Sequence, residues 1–91
     1  DLEDALMALD DVADAAVVGM PSEQWGETPV GFVTLAPGSH MSGAAVREAV
    51  NAGLGKTQRL AHVHVIDDLP RSHIGKILKT QLRAMAADPG G

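Results

Sequence analysis

The 91-residue chain contains no cysteine and no tyrosine, and Trp25 and Phe32 are its only large aromatic residues. The absence of thiols excludes disulfides, a thiolate nucleophile and a cysteine-ligated metal. With only two aromatics the core must be built from Val, Leu, Ile and Ala, and no interleaved aromatics offer nucleic-acid bases a stacking platform. No apolar run approaches the roughly 18 residues that a membrane-spanning helix needs. The opening Asp1-Leu2-Glu3-Asp4 is unlike a secretory leader, and with the missing cysteines it predicts a cytoplasmic protein without a membrane span. Basic residues are also scarce at one end. Residues 1–27 hold eight Asp and Glu but no Lys or Arg, whereas six of the seven basic residues fall between 56 and 83. Within a net charge of −5, this asymmetry predicts a positive surface on the C-terminal half, facing an anionic partner. The acidic total argues against nucleic acid as that partner.

What the chain does contain reads as one domain, residues 1–91, with a frayed tail at 88–91. Leu2, Ala5, Leu6 and Leu9, with Ala13, have the spacing of a short amphipathic helix that Asp10-Asp11 ends. Ala15–Met20 is continuously apolar, as expected of a strand buried on both faces. Pro21–Glu27 reads as a seven-residue loop, Thr28–Ala36 as a second strand and Pro37–His40 as a turn. Ser42 is placed to cap a helix with an apolar face of Val46, Ala49, Val50 and Leu54, stopped by Gly53 and Gly55. Ala61–Ile66 is a third strand. Ile74, Ile77, Leu78, Leu82 and Met85 then recur at helical spacing, predicting a last helix over about 75–87. The first two strands are expected to pair antiparallel, and the second and third to be joined by a right-handed crossover. The fold class is therefore α+β, a small three-stranded sheet with helices packed against it.

Gly75-Lys76 stands out in this scheme. At the start of a helix a lysine faces the positive end of the backbone dipole, which costs a few tenths of a kcal/mol. Glycine before it permits unusual dihedral angles or close approach of a ligand. A cation kept there against local preference suits phosphate or carboxylate oxygens outside the fold.

Pro70, four residues, then Gly75-Lys76, preceded by Asp67-Asp68-Leu69 and followed by Ile77-Leu78-Lys79 and Leu82-Arg83, resembles the C-terminal signature of the AMP-forming adenylate synthetases. These are the acyl-CoA synthetases, peptide-synthetase adenylation domains and luciferases. Leu2–Leu6, Val12–Gly19, Trp25-Gly26-Glu27 and Phe32-Val33 follow in the family's order, so the resemblance covers nearly the whole chain. It implies the C-terminal lid domain of a fatty-acid–CoA ligase-like enzyme. That enzyme converts a carboxylate, ATP and CoA into acyl-CoA, AMP and pyrophosphate. It further implies that Lys76 completes the adenylation site, that Gly75 and Pro70 shape its loop near the nucleotide, and that Trp25 and Arg59 lie beside CoA. Around Arg59 the chain departs from the family pattern, reading Thr57-Gln58-Arg59-Leu60. The nucleotide-binding N-terminal domain and the hinge would precede residue 1. ATP or AMP, CoA and Mg²⁺ would be held mainly by that domain, the principal partner besides the carboxylate substrate. The isolated piece is expected to fold but not to turn over ATP. Lysines in this sequence context resemble those modified by acetyltransferases, which makes such an enzyme a further expected partner at Lys76. The runner-up is a peptide-synthetase-type adenylation domain, which usually carries Asp where Leu78 stands; a non-catalytic interaction module is the third reading.

The remaining polar residues carry less. Lys76, Lys79 and Arg83 are spaced along one face of the predicted last helix, either to attract ATP or CoA or simply as its solvated side. His62 and His64 share a strand face as metal-binding pairs do, but no third ligand stands at recognisable spacing, so no metal site is expected. His73 lies close to Lys76 in sequence, as a local modulator would. No nucleophile–base–acid grouping or paired carboxylates accompany them, so a self-sufficient active site is not expected.

Overall fold

Alternation of side chains along the first two strands decides how this chain folds. In the computed structural model, which describes residues 2–22, 26–53 and 60–87, α1 (Leu2–Met7) precedes β1 (Val12–Ser22) and β2 (Gly26–Leu35). Then follow α2 (Gly43–Ala52), β3 (His62–Val65) and α3 (Lys79–Ala87). The strands form one sheet in the order β1-β2-β3, with β1 and β2 antiparallel and β2 and β3 parallel across α2. Element order, sheet pairing and α+β class agree with the sequence reading. Asp1, Glu23–Trp25, residues 54–59 and the expected tail at 88–91 lie outside the described residues.

Each face of the sheet carries its own core. Ala15, Val33 and Val63 face α1 and α2, packing with Leu6, Val46, Val50 and Leu60. Ala16, Val18, Val30 and Phe32 face the other way, toward Leu69 and the Leu82 of α3. An irregularity in register between Val12 and Asp14 inserts one extra residue, so Val12 joins Ala15 in the first core although the two differ in parity. Ala13, expected on the α1 face, is that extra residue and is exposed. Burying a Leu or Phe side chain such as Leu6 or Phe32 contributes about 1.5–3 kcal/mol.

The hairpin is longer than its composition predicts, because Pro21↔Glu27 and Ser22↔Gly26 are paired rather than looped. Alternation explains the tolerance of Pro21. The N–H of Val17 and the carbonyl of Gly19 point away from β2 and meet side chains elsewhere. The same parity turns the nitrogen of Pro21 outward on an edge strand, where no ladder donor is lost.

α2 forms as expected at its start. The Oγ of Ser42 accepts from Ala45 N–H at 3.1 Å, and Gly53 caps the far end. Val46 and Val50 are buried, whereas Ala49 is exposed and Leu54 and Gly55 lie outside the described residues. Gly43 is required by crowding, since a Cβ there would sit 2.1 Å from the carbonyl oxygen of Val63. Asn51, the one buried polar residue among those described, closes the crossover: its Nδ2 donates to Leu60 C=O at 3.1 Å and its Oδ1 accepts from Leu60 N–H at 2.9 Å.

Candidate functional site

The Gly75-Lys76 pair lies in a tight hairpin and not at a helix start. Arg71 and Ile77 form an antiparallel bridge, and Ser72 N–H donates to Lys76 C=O at 2.8 Å. Gly75 N–H donates to Ser72 C=O at 2.8 Å, and Gly75 adopts φ +88°. This is a three-residue loop, a type I turn closed by a left-handed residue. Glycine is required by that dihedral rather than by space, since a Cβ at 75 would meet nothing within 4 Å. Leu78 N–H returns to Pro70 C=O at 2.8 Å, and α3 starts only at Lys79. The expected helix over 75–87 is therefore four residues too long. Ile77 and Leu78 mimic a helical stripe while serving the hairpin and its exit. Ile74 at the tip is 77% exposed and Met85 is exposed as well, so of the predicted stripe Leu82 alone is fully buried. The helix-dipole penalty applies to Lys79, not to Lys76.

The hairpin stands on the α3 side of the sheet. Leu69 before it is buried, and Ile77 on its return strand packs into the Phe32–Leu82 core. The ring of Pro70 fixes φ at the entrance. Leu69 before the hairpin and Leu82 after it are buried, while Arg71, His73, Ile74, Gly75 and Lys76 within it are exposed.

The basic residues of this half divide sharply. Lys79 Nζ lies 3.1 Å from Glu3 Oε2, which also accepts the Val17 N–H at 2.8 Å. Burial raises the Glu3 carboxyl, but the Val17 N–H and the Lys79 ammonium outweigh it and hold the group below the ordinary carboxylate range. Arg83 Nε donates to Gly19 C=O at 3.3 Å. Arg71 pairs with Asp14 and donates from Nη1 to Gly75 C=O at 3.2 Å. Lys79 and Arg83 are thus engaged at the open edge of β1, where they cover strand-edge groups. The predicted Lys76–Lys79–Arg83 stripe is not one helix face, because Lys76 lies before α3. Lys76 is exposed and, among the described residues from 60 to 87, it is the lysine or arginine whose side chain has no hydrogen bond or ion pair. It borders an open concavity of about 660 Å³, shared with Arg71, Gly75, Ile77, Lys79 and Thr80. An exposed, unpaired cation beside an open cleft can meet an anion presented by another body.

The other predicted residues are distributed differently. Trp25 and Arg59, the pair expected near CoA, lie outside the described residues. His64 stacks on Phe32 with ring centroids 5.0 Å apart, and His62 is 6.4 Å from His64. Partial burial, and then the neighbouring His62, lower the His64 pKa. Among the described residues no group of three or more His, Asp and Glu is arranged to hold a metal ion, and no helix is long and apolar enough to cross a membrane. His73 is exposed in the hairpin loop. Sequence reasoning missed the Arg71–Asp14 clasp and the Asn51–Leu60 bracket. The first joins residues 57 apart, and neither residue type nor spacing signals such a contact.

Comparison with known proteins agrees with this architecture. The chain is 39% identical over 87 residues to acetyl-coenzyme A synthetase of Deinococcus radiodurans, covering 96% of this chain and 13% of that protein. It is likewise 39% identical over 87 residues to 4-coumarate–CoA ligase 2 of Oryza sativa subsp. japonica, covering 96% and 15%. Among solved structures it is similar to ATP-bound MatB from Rhodopseudomonas palustris, with a TM-score of 0.85 at 30% identity over 96% of this chain and 17% of that one. The chain thus spans less than a fifth of the length of these relatives. The AMP-binding enzyme C-terminal domain family matches residues 1–76, a stretch that ends on the exposed lysine of the hairpin. The chain belongs to the AMP-binding enzyme C-terminal domain family.

Proposed function

We propose that this chain is the lid of an ATP-dependent, AMP-forming acyl-CoA synthetase and that Lys76 is its adenylation residue. In the first step the substrate carboxylate attacks the α-phosphorus of ATP, forming acyl-adenylate and releasing pyrophosphate. Two anions must meet, and an ammonium beside the developing charge lowers that barrier. The observation that carries the reading is the isolation of Lys76: neighbouring cations bind their own domain, while Lys76 is held out by a rigid turn with nothing to neutralise it. Lysine suits a hinged part, because a flexible stem delivers a point charge without demanding geometry. In the second step the lid turns, the CoA thiol attacks the acyl carbon, and AMP leaves. Trp25 and Arg59 are assigned to CoA in that step, Arg59 as the partner of a CoA phosphate.

ATP, Mg²⁺, the acyl group and CoA are assigned mainly to an N-terminal adenylation domain of the same protein, the lid's main partner. CoA is favoured over a carrier protein as the thiol-bearing acceptor because the relatives named above are CoA ligases. An acetyltransferase acting on Lys76 would remove its charge and so stop adenylation.

The test is Lys76→Ala in the full-length enzyme. ATP–pyrophosphate exchange should fall by about 10²–10³-fold, as when an oxyanion-stabilising donor is lost. Thioester formation from supplied acyl-adenylate should persist. Equal loss of both half-reactions would sink the assignment.

A further inference from the structure

We propose that Arg71 is a positioning residue for adenylation, a reading that rests on the role given to Lys76. Its guanidinium, anchored on Asp14, fixes the peptide between Gly75 and Lys76 and so aims the lysine. One arm, Nη2, pairs with Asp14 Oδ2, and the other, Nη1, donates to Gly75 C=O at 3.2 Å. Asp14 is itself held. It stands at the β1 irregularity, and its Oδ1 accepts from Ala15 N–H at 3.0 Å.

The clamped group is the peptide plane that leads into the functional side chain. Its oxygen belongs to Gly75 and is gripped by Arg71. Its N–H belongs to Lys76 and donates to Ser72 Oγ at 3.3 Å. Gly75, at φ +88°, is the residue in the loop with the widest conformational freedom, so a rotation there would swing the Lys76 stem most. Arg71 opposes that rotation from outside the turn. A planar two-armed fork can hold both partners at once, which a lysine ammonium cannot do with the same fixed geometry.

Magnitudes separate positioning from a plain surface ion pair. The side chains of Arg71 and Asp14 are 40% and 33% exposed, and pairs this open contribute little to stability. A displacement of about 1 Å at a reacting centre, in contrast, lowers rates about 10²-fold. Removing Arg71 should therefore slow one half-reaction strongly and shift the unfolding temperature slightly.

The experiment uses the full-length enzyme and a carboxylate panel beginning with acetate and 4-coumarate. Arg71→Ala should lower kcat for ATP–pyrophosphate exchange about 10- to 100-fold with KM for ATP nearly unchanged. Thioester formation from the supplied acyl-adenylate should remain within about twofold, since the clamp bears on the hairpin alone. Arg71→Lys should restore part of the loss, and Asp14→Asn, which spares the arm to Gly75, should lose less than Arg71→Ala. If Arg71→Ala does not accumulate as folded protein, the Arg71→Lys and Asp14→Asn pair carries the same comparison. Undiminished exchange in these variants beside an inactive Lys76→Ala enzyme overturns the positioning role alone. Equal loss of both half-reactions in them overturns it too, by showing a general structural defect. Normal exchange in Lys76→Ala removes the reading beneath it, whatever Arg71 does.

Discussion

The two faces of the sheet are built on different principles. The α1–α2 face is closed by aliphatic packing and by the two hydrogen bonds between the Asn51 amide and Leu60, with Asn51 as its buried polar element among the described residues. The α3 face has a smaller core around Phe32 and Leu82, and its rim is held by charged clasps from Arg71, Lys79 and Arg83 onto α1 and β1. Apolar contacts carry no charge to titrate or to be screened, whereas half-exposed ion pairs are screened and titrate. The first face therefore sets whether the domain folds. The second sets where the lysine hairpin stands, in contacts weak enough to be adjusted without unfolding the domain.

Deleting packing from the first face should produce the largest stability loss. Leu6 is completely buried against Val33 and Val46, so Leu6→Ala should cost about 2–5 kcal/mol, read as a fall in urea midpoint at unchanged slope. Asn51→Ala comes next. It leaves the N–H and C=O of Leu60 buried without partners, at about 1–3 kcal/mol by the same measurement. A loss below a few tenths would mean that water replaces the amide and that this face is less closed than described. On the second face, Gly75→Ala should cost only about 1–2 kcal/mol, the penalty for a left-handed residue with a Cβ. Adenylation should suffer more than folding in that variant. A large stability loss with normal adenylation would reverse the division between the faces.

Much of the first face was legible in the sequence because its signals are local. Ser42 caps α2, Val46 and Val50 recur at one helical turn, and Ala15–Met20 has the unbroken apolarity of a strand packed on both sides. The second face was harder to read, for physical reasons. Ile74, Ile77, Leu78, Leu82 and Met85 fit a 3.6-residue period, yet Gly75 at positive φ ends one hairpin before α3 begins. Pro21 signals a loop unless the strand is known to lie at an edge with its nitrogen outward. Lys76 was singled out by the resemblance that Pro70, Gly75 and their neighbours carry, whereas the contacts around its hairpin were not legible. Asp14 and Arg71, or Glu3 and Lys79, meet only after the chain has folded, and charge alone does not say which acid a base will choose.

The smallest expected effect separates the faces most directly, because it concerns pH. The Glu3 carboxyl is held below its ordinary value by Val17 N–H and Lys79, against the opposing pull of burial. A depressed folded-state pKa means that the unfolded chain binds the proton first as pH falls. The stabilisation is therefore complete above the ordinary glutamate value and disappears as pH drops through the lowered one. Because both side chains are more than a third exposed, the pair contributes only about 0.2–1 kcal/mol after screening. Glu3→Gln should remove the part of the acid-limb pH dependence of stability that this carboxyl supplies, and added salt should weaken the wild-type pair in the same direction. His64 acts on the same side of neutrality, since burial and then His62 depress its pKa, so His64→Phe should reduce the fall in stability just below pH 6.5. Both changes should move hydrogen-exchange protection in α3 and leave α2 unaffected. Equal loss of protection in α2 would show that the two faces open together, and that the lysine hairpin cannot be loosened without unfolding the domain.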